Sequence, residues 1–441
     1  MTDERSYPRP GVAWFMVAML TLAYIFSYVD RYVLGLLIQP IKADLGLTDE
    51  EIGWLLGPAF AIFYATMGLP LGWLADRKRR TWLIAAGVTV WSLATAASGL
   101  CRSFWQLFTA RMTVGVGEAV LSPAAFSMIS DSFPPERRGK PIAVYQAALT
   151  LGAGIASLIG ASVLVWARTT PEIEVPVAGL VQPWQLTFFA VGLPGLLIAV
   201  GFLFLPEPAR RAAAATDPEL TGGTFGETLR YVGRRWATFL TFVSLPCVMT
   251  TIAYSHGFMP AAFERTYGWP AERFAFYNGV ANLIVGPLTV YAMGALSDRW
   301  TKLGRGDAPL LIMIAGAVLM VPTGAAAMLM PGPWSALICL WLNTATIAVV
   351  TAVGVTALLN IAPGAIRAQL VALYYMAISL SGLLLGPTTV GILSTRVFGE
   401  ENVRYAVSAL PVLYGLLPLL IIPITVRLYR GQMARLVAAS S

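Results

Sequence analysis

Twelve apolar runs, each longer than twenty residues, divide the chain between residues 13 and 428, and nothing else in the sequence restricts its fold as much. They span 13–40, 51–75, 81–101, 104–130, 141–167, 184–205, 236–263, 271–297, 309–330, 333–361, 364–395 and 404–428. A helix of about 20 residues covers the roughly 30 Å of hydrocarbon in a bilayer. Inside hydrocarbon every backbone N–H and C=O must be satisfied by the segment itself, which favours helices over open strands. The expectation is an all-α membrane protein with twelve transmembrane helices. No cleavable leader is expected, because the first run is too long for one and a second crossing follows closely.

Composition agrees: 57% of residues are hydrophobic and 12% are charged, against about 25% charged in soluble domains. The net charge of +7 would suit a nucleic-acid partner, but its distribution argues against one. With an inside N-terminus, 21 Lys and Arg fall in cytoplasmic segments and 7 outside. The positive-inside rule then places both termini in the cytoplasm. Cys101, Cys247 and Cys339 stand singly, without disulfide or metal spacing. No phosphate-binding loop, catalytic triad or metal cluster is present in the pattern, so neither an enzyme nor an ATP-driven pump is expected, and no cofactor.

The chain is written twice. A polar stretch at 206–235, with R-R-A-A-A-A-T-D-P-E-L-T-G-G, reads as a linker between six-helix halves at 1–205 and 236–441. Its end, F-G-E-T-L-R-Y-V-G-R-R-W, reads as an amphipathic helix on the membrane surface. G-W-L-A-D-R after the second run is echoed by G-A-L-S-D-R after the eighth, with Asp76 and Asp298 222 positions apart. R-R-G-K-P-I-A-V-Y after the fourth run is echoed by I-R-A-Q-L-V-A-L-Y after the tenth; Arg138 and Arg367, like Tyr145 and Tyr374, are 229 apart. Parallel six-helix repeats with substrate between them are a recurring transporter plan.

The duplicated Gly-x-x-x-Asp-Arg element resembles the signature of the major facilitator superfamily. Y-V-D-R-Y-V-L-G-L-L-I-Q-P-I-K-A-D-L-G-L-T-D-E-E-I-G-W-L (28–55) and R-M-T-V-G-V-G-E-A-V-L-S-P (111–123) are similar to the spinster family within it. One departure is the missing glycine after Asp-Arg, where Lys78, Arg79 and Arg80 follow. The resemblance implies two bundles rocking around a central site, and proton-coupled carriage of a lysolipid-like or sphingosine-phosphate-like substrate. It also implies a cytoplasmic gate: Asp76 docked at the eleventh helix near Arg367, and Asp298 at the fifth near Arg138, with Arg77, Arg80 and Arg299 alongside.

Charges inside the runs carry the chemistry. Asp30 and Arg31 lie in the first helix; Arg111 and Glu118 lie in the fourth. Each costs about 2.5–3.5 kcal/mol at a helix centre, so the four must be paired or wetted and mark a cavity. Asp30 and Arg31 point about 100° apart, and Arg111 and Glu118 lie about 10.5 Å apart along their axis. Pairing between the helices follows. Depth along each helix matches Asp30 to Arg111 and leaves Glu118 with Arg31. Glu118, with Asp30 assisting, is then the proton carrier, and Arg31 and Arg111 are the anion-binding residues, since Arg suits phosphate and carboxylate. The plainer reading is an inert cluster that fixes helix packing.

His256, Tyr254, Asn278, Asn282 and Asn343 are candidate cavity-lining residues in the second half. For Asn343 a helix–helix hydrogen bond is as good a reading. The reading that follows is a monomeric, proton-coupled secondary transporter of an anionic amphiphile, with protons and membrane lipids as its other partners. A carrier of small organic anions or drugs, and a sensor that does not translocate, are the alternatives.

Overall fold

The computed structural model describes residues 7–75, 77–134, 137–170, 173–175, 179–210, 225–363 and 366–440. The first crossing is α1 (Pro10–Leu36), opened by a proline in the first turn, where no N–H is needed. It gives way to a short α2 (Ile38–Leu45), closed by Gly46 at φ 65°. The second run is not the single helix expected over 51–75. It is α3 (Asp49–Leu56), started by a reciprocal Thr48–Glu51 capping box, and α4 (Pro58–Ala75). Between them Gly57 takes φ −111° and ψ −92°, off the helical path, and Pro58 after it has no N–H to carry the helix's hydrogen bonds across the break.

The third crossing is α5 (Arg80–Ser98). The fourth is α6 (Phe104–Glu118), capped by the Ser103 hydroxyl, followed by α7 (Leu121–Ser132). Pro123 has no N–H to offer the carbonyl of residue 119, so the helix loosens directly after Glu118. The fifth is α8 (Gly139–Thr169). A two-stranded antiparallel ribbon, β1 (Ile173–Val175) and β2 (Gly179–Val181), leads to the sixth, α9 (Pro183–Gly192) and α10 (Gly195–Phe204).

The amphipathic helix expected at the linker's end is α11 (Phe225–Arg234), with Thr228 buried and Leu229 exposed. Residues 211–224 of the linker lie outside the described residues. The seventh crossing is α12 (Trp236–Ser255), one tight turn at His256–Phe258, and α13 (Met259–Tyr267). Then come α14 (Ala271–Lys302), α15 (Ala308–Ala327), α16 (Pro333–Leu359), α17 (Arg367–Leu393), α18 (Val403–Leu420) and α19 (Ile422–Ser440).

Eleven helical stretches among the described residues are long and apolar enough to cross a membrane; the second crossing, broken at Gly57, is the remaining one of the twelve. Side chains such as Leu197, Phe204, Tyr291 and Leu420 are more than 70% exposed, which suits lipid and not water. The protein is a multi-pass integral membrane protein with an all-α fold, apart from the small ribbon.

By packing, the chain groups into two compact units: Met1–Ala212 with Gly257–Leu283, and Ala213–His256 with Ile284–Ser441. Residues 257–283 follow the linker in sequence yet pack in the first unit. In that unit α1 lies on α8, and α6 lies on α4 and α5. Gly117 makes the last contact close: a Cβ there would fall 2.8 Å from both the Gly87 carbonyl oxygen and the Trp91 nitrogen. Small residues at helix crossings are how membrane bundles gain van der Waals contact without a hydrophobic drive.

The second unit repeats the plan, with α12 on α17 and α15 on α16. The repeat extends to side chains. Arg138 Nε donates to the Phe133 carbonyl at 2.9 Å, and Arg367 Nε donates to the Ala362 carbonyl at 3.2 Å, each five residues back. Tyr145 stacks on Tyr24 of α1 (5.0 Å), and Tyr374 packs on Phe242 of α12 (6.3 Å).

Candidate functional site

Glu118 is the last residue of α6, where the helix's free carbonyls oppose a negative charge. Its carboxylate is therefore met from another helix. Arg31 of α1 donates through Nε at 2.6 Å and approaches through Nη2 at 2.5 Å, both at Oε2. Ser27, one turn before Arg31 on the same face of α1, donates its hydroxyl to Oε2 at 2.6 Å. Glu118 is 2% exposed, and its Oε1 is buried with no hydrogen-bond partner among the described residues. One oxygen is saturated by donors; the other is bare.

Aromatic rings hold the Arg31 guanidinium from the remaining sides. It lies 4.4 Å from the ring centre of Phe60, 4.9 Å from Tyr64 and 5.7 Å from Tyr28. Cation–π contacts of this kind strengthen when desolvated, so the rings fix the arginine on the sides that Glu118 and Ser27 leave open. Ser27 and the three rings were not singled out from the sequence. Ser27 was findable, since it shares Arg31's face one turn away; the rings of α4 carry no charge pattern to mark them.

Arg111 does come to Asp30, but not as an ion pair. Its Nη1 donates to the main-chain carbonyl of Asp30 at 3.3 Å, and its guanidinium lies 5.7 Å from Phe60. No ion pair between the two residues is found among the described residues, and Asp30 Oδ1 and Arg111 Nε are both buried without a partner. Depth arithmetic placed the residues at one level, yet it could not distinguish a carbonyl of α1 from the side chain beside it. Unpaired buried polar atoms cost about 1–3 kcal/mol each, and three of them gather on the facing stretches of α1 and α6, at Glu118, Asp30 and Arg111.

Asn278 of α14 donates to the Tyr32 hydroxyl at 3.4 Å, and the Oδ1 atoms of Asn278 and Asn282 are buried without partners. Tyr32 adjoins Arg31 in α1, so these amides extend the polar wall of the first unit. In the second unit Tyr254 packs against Gly382 of α17. Asn343 is fully buried and donates to the Met320 carbonyl (2.8 Å) and the Thr323 hydroxyl (3.0 Å), tying α16 to α15. His256 Nε2 is buried without a hydrogen-bond partner.

Of the expected gate residues, Asp76 lies outside the described residues. Arg77 stacks on Trp73 at 4.0 Å, Asp298 and Arg299 are exposed on α14, and Arg138 and Arg367 hold the loop carbonyls named above. Arg80 is 1% exposed at the start of α5 and uses all three nitrogens. Nε donates to Glu207 at 2.8 Å, Nη1 to Ser127 at 2.7 Å and to Asp131, and Nη2 to the Pro208 carbonyl at 2.8 Å. Burial works to raise the Glu207 carboxyl, but the Thr81 N–H and the Arg80 guanidinium outweigh it and hold it below the usual carboxylate range.

A sequence profile of the Major Facilitator Superfamily matches residues 20–385. An MFS-type efflux pump of Mycolicibacterium smegmatis is 31% identical over 301 residues, which cover 68% of this chain and 65% of that protein. A probable L-galactonate transporter of Escherichia coli is 32% identical over 187 residues, 42% of this chain and 38% of that protein. The matches thus span less than two thirds of these relatives. A bacterial homologue of the human lysosomal transporter spinster, solved inward-facing and unoccupied, superposes with a TM-score of 0.81 at 24% identity, covering 98% of this chain and 99% of that one.

Proposed function

Because this chain belongs to the Major Facilitator Superfamily, we propose that it is a proton-coupled secondary transporter of an anionic amphiphile, working by alternating access. The observation that carries this reading is the Arg31–Glu118 contact, a buried ion pair with one carboxylate oxygen saturated and the other bare. At an effective dielectric of about 20, such a pair is worth about 4 kcal/mol. Desolvation costs several kcal/mol per ion. For two ions that is at least as large as the attraction, so a proton on Oε1 removes the term that holds Arg31 to Glu118.

The sequence of events follows from charge. A proton on Glu118 removes the counter-charge, and the Arg31 guanidinium, held by Phe60, Tyr64 and Tyr28, turns its donors to the substrate's anionic head. Arg111 adds its unpartnered Nε as a second donor. Substrate exit restores the pair and expels the proton. Asp30, with Oδ1 unpartnered, assists as a second carboxyl in the same cavity. We place the protein as a monomer in a bacterial inner membrane with both termini cytoplasmic, and the Asp298 and Arg138 end of the helices as the inner gate.

The substrate is a lysophospholipid or a sphingosine-phosphate-like lipid, supported by the likeness to the spinster homologue and by the apolar residues that dominate the second unit. A second reading is a small organic acid, favoured by the relative named for L-galactonate. Uptake into proteoliposomes under an imposed pH gradient separates the two. The lipid reading expects accumulation of labelled lysophospholipid that a tenfold excess of L-galactonate leaves unchanged (the factor taken as about one decade of affinity). Galactonate accumulation without lysolipid flux would reverse the assignment.

A further inference from the structure

Just before the seventh crossing, α11 lies with one face against the second unit and the other face open. Side-chain contacts fix which face is which. Thr228, fully buried, donates its hydroxyl to Gln369 of α17. Gln432 of α19, also buried, donates to the Tyr231 hydroxyl at 2.6 Å and accepts from Arg235 Nε at 3.0 Å. The Arg235 guanidinium lies 4.2 Å from the centre of the Tyr231 ring. At 100° per residue, Thr228, Tyr231 and Arg235 fall within about 60° of one another round the helix. These bonds keep α11 from rolling about its axis.

The open face then follows from the sequence. Arg230 and Arg234 are one turn apart and exposed, and neither has a hydrogen-bond or ion-pair partner among the described residues. Leu229, 49% exposed, stands about 100° round the helix from Arg230. Between them lie Gly226 and Gly233, both exposed, and a Cβ on Gly233 would meet nothing within 4 Å. Glu227 is exposed on the far side of the arginines from Leu229. Going round the helix, an apolar side chain is followed by a strip of bare backbone and then by two guanidinium groups.

This face sits at the edge of the bilayer. The chain leaves helical geometry at Arg235 (φ −124°, ψ 28°) and enters α12, where Trp236 is 63% and Leu240 60% exposed. An exposed tryptophan at the start of a crossing belongs at headgroup level, which puts Arg230 and Arg234 at the depth of the lipid phosphates. Arginine offers paired donors that match a phosphate. Topology needs only positive charge in the loop; it does not need two arginines held one turn apart beside a bare strip.

We propose that the outer face of α11 is a docking site for an anionic phospholipid of the surrounding bilayer. Arg230 and Arg234 clamp the phosphate, the glycine strip seats the glycerol, and Leu229 lies along the acyl chains. With the orientation proposed above, this is the cytoplasmic leaflet, whose anionic lipids attract basic segments beside a crossing. A lipid bound here braces α11 against α17 and α19 and stabilises the folded protein by mass action.

The purified full-length protein in detergent is titrated with dioleoylphosphatidylglycerol, with bound lipid counted by native mass spectrometry and melting followed in parallel. Dioleoylphosphatidylcholine, with the same chains and no net charge, is the comparison. Phosphatidylglycerol is expected to bind and to raise the melting temperature, and phosphatidylcholine at the same concentration to do neither. Arg230→Gln combined with Arg234→Gln is expected to weaken phosphatidylglycerol binding about thirtyfold, for two cations at about 1 kcal/mol each. Arg230→Lys with Arg234→Lys keeps the charge and recovers part of the affinity. Arg137→Gln with Lys140→Gln, an exposed pair of equal charge elsewhere in the chain, should leave it unchanged.

Equal weakening by the two neutralised pairs would be a general charge effect and overturns the site. Binding that ignores Arg230→Gln with Arg234→Gln overturns it too, and is the result expected of a lipid held at Arg31 instead. Competition by soluble glycerol phosphate at the lipid's own concentration would make this a phosphate site without a membrane partner. None of these readouts uses flux, so the docking site and the transport reading fail separately.

Discussion

Arg31 and Glu118, 87 positions apart in sequence, meet at 2.5 Å inside the first unit, with the carboxylate 1% and the guanidinium 15% exposed. The asymmetry is informative. The acid is sealed and the base is the more accessible of the two, which is the asymmetry the proposed exchange of a proton on one for an anion on the other requires.

Glu118→Gln keeps an oxygen to accept from Ser27 and Arg31 and removes the charge. Proton-driven accumulation in proteoliposomes is expected to fall by at least about tenfold, one decade for each 1.4 kcal/mol of lost coupling. Substrate exchange without a gradient persists. The measurement is uptake against external pH; an unaltered pH profile would reject Glu118 as the coupling group.

Arg80 offers a test of stability that is separate from transport. Its removal strands Glu207 and Asp131, both mostly buried, so Arg80→Gln is expected to cost about 3–5 kcal/mol. A lysine has one nitrogen for the four partners, so Arg80→Lys should recover less than half of that loss. Thermal melts of the purified variants in detergent decide it, with equal melting of Arg80→Lys and the parent as the contrary result.

How far these sites could be read in the sequence depends on what each one needed. The Arg31–Glu118 pair was legible because each charge had one long-armed partner within reach of its helix. The repeat was legible because Arg138 and Arg367 keep their spacing, and the structure gives them the same carbonyl contact. Asp49 was not legible: in T-D-E-E it reads as an ordinary charge of a helix's first turn, yet it is buried against the Arg265 guanidinium, 216 positions on. The breaks at Gly57 and at His256–Phe258 were likewise lost in apolar runs, because hydropathy records solvent preference and not backbone direction.

The Glu207 carboxyl gives a pH prediction with a definite sign. Its pKa in the folded protein is depressed by the Thr81 N–H and Arg80 working against burial. A depressed carboxylate contributes stability that is complete above its unfolded pKa, about 4.3, and is lost as pH falls through the lower folded value. Melting temperature should therefore decline as pH drops below about 4.3, and more gently in Glu207→Gln than in the parent. Parallel acid limbs would show that Glu207 does not contribute.

Gly117 connects packing to the site. It adjoins Glu118 at the end of α6, and a Cβ on it would sit 2.8 Å from the backbone of α5 at both Gly87 and Trp91. Backbone cannot rotate away as a long side chain can, so Gly117→Ala must push α6 off α5. Overpacking of this kind costs about 1–3 kcal/mol, which a melt will register. The displacement also carries Glu118 with it, while Arg31 stays fixed among its rings. Loss of about a hydrogen-bond length's precision is enough to weaken a contact that depends on donors near 2.6 Å. Gly117→Ala is thus expected to lower stability and blunt the pH dependence of uptake together. Gly139→Ala, where a Cβ meets nothing within 4 Å, should change neither. If Gly117→Ala melts early yet keeps the parent's pH profile, the packing of α6 on α5 does not position Glu118, and the placement rests on Arg31 and Ser27 alone.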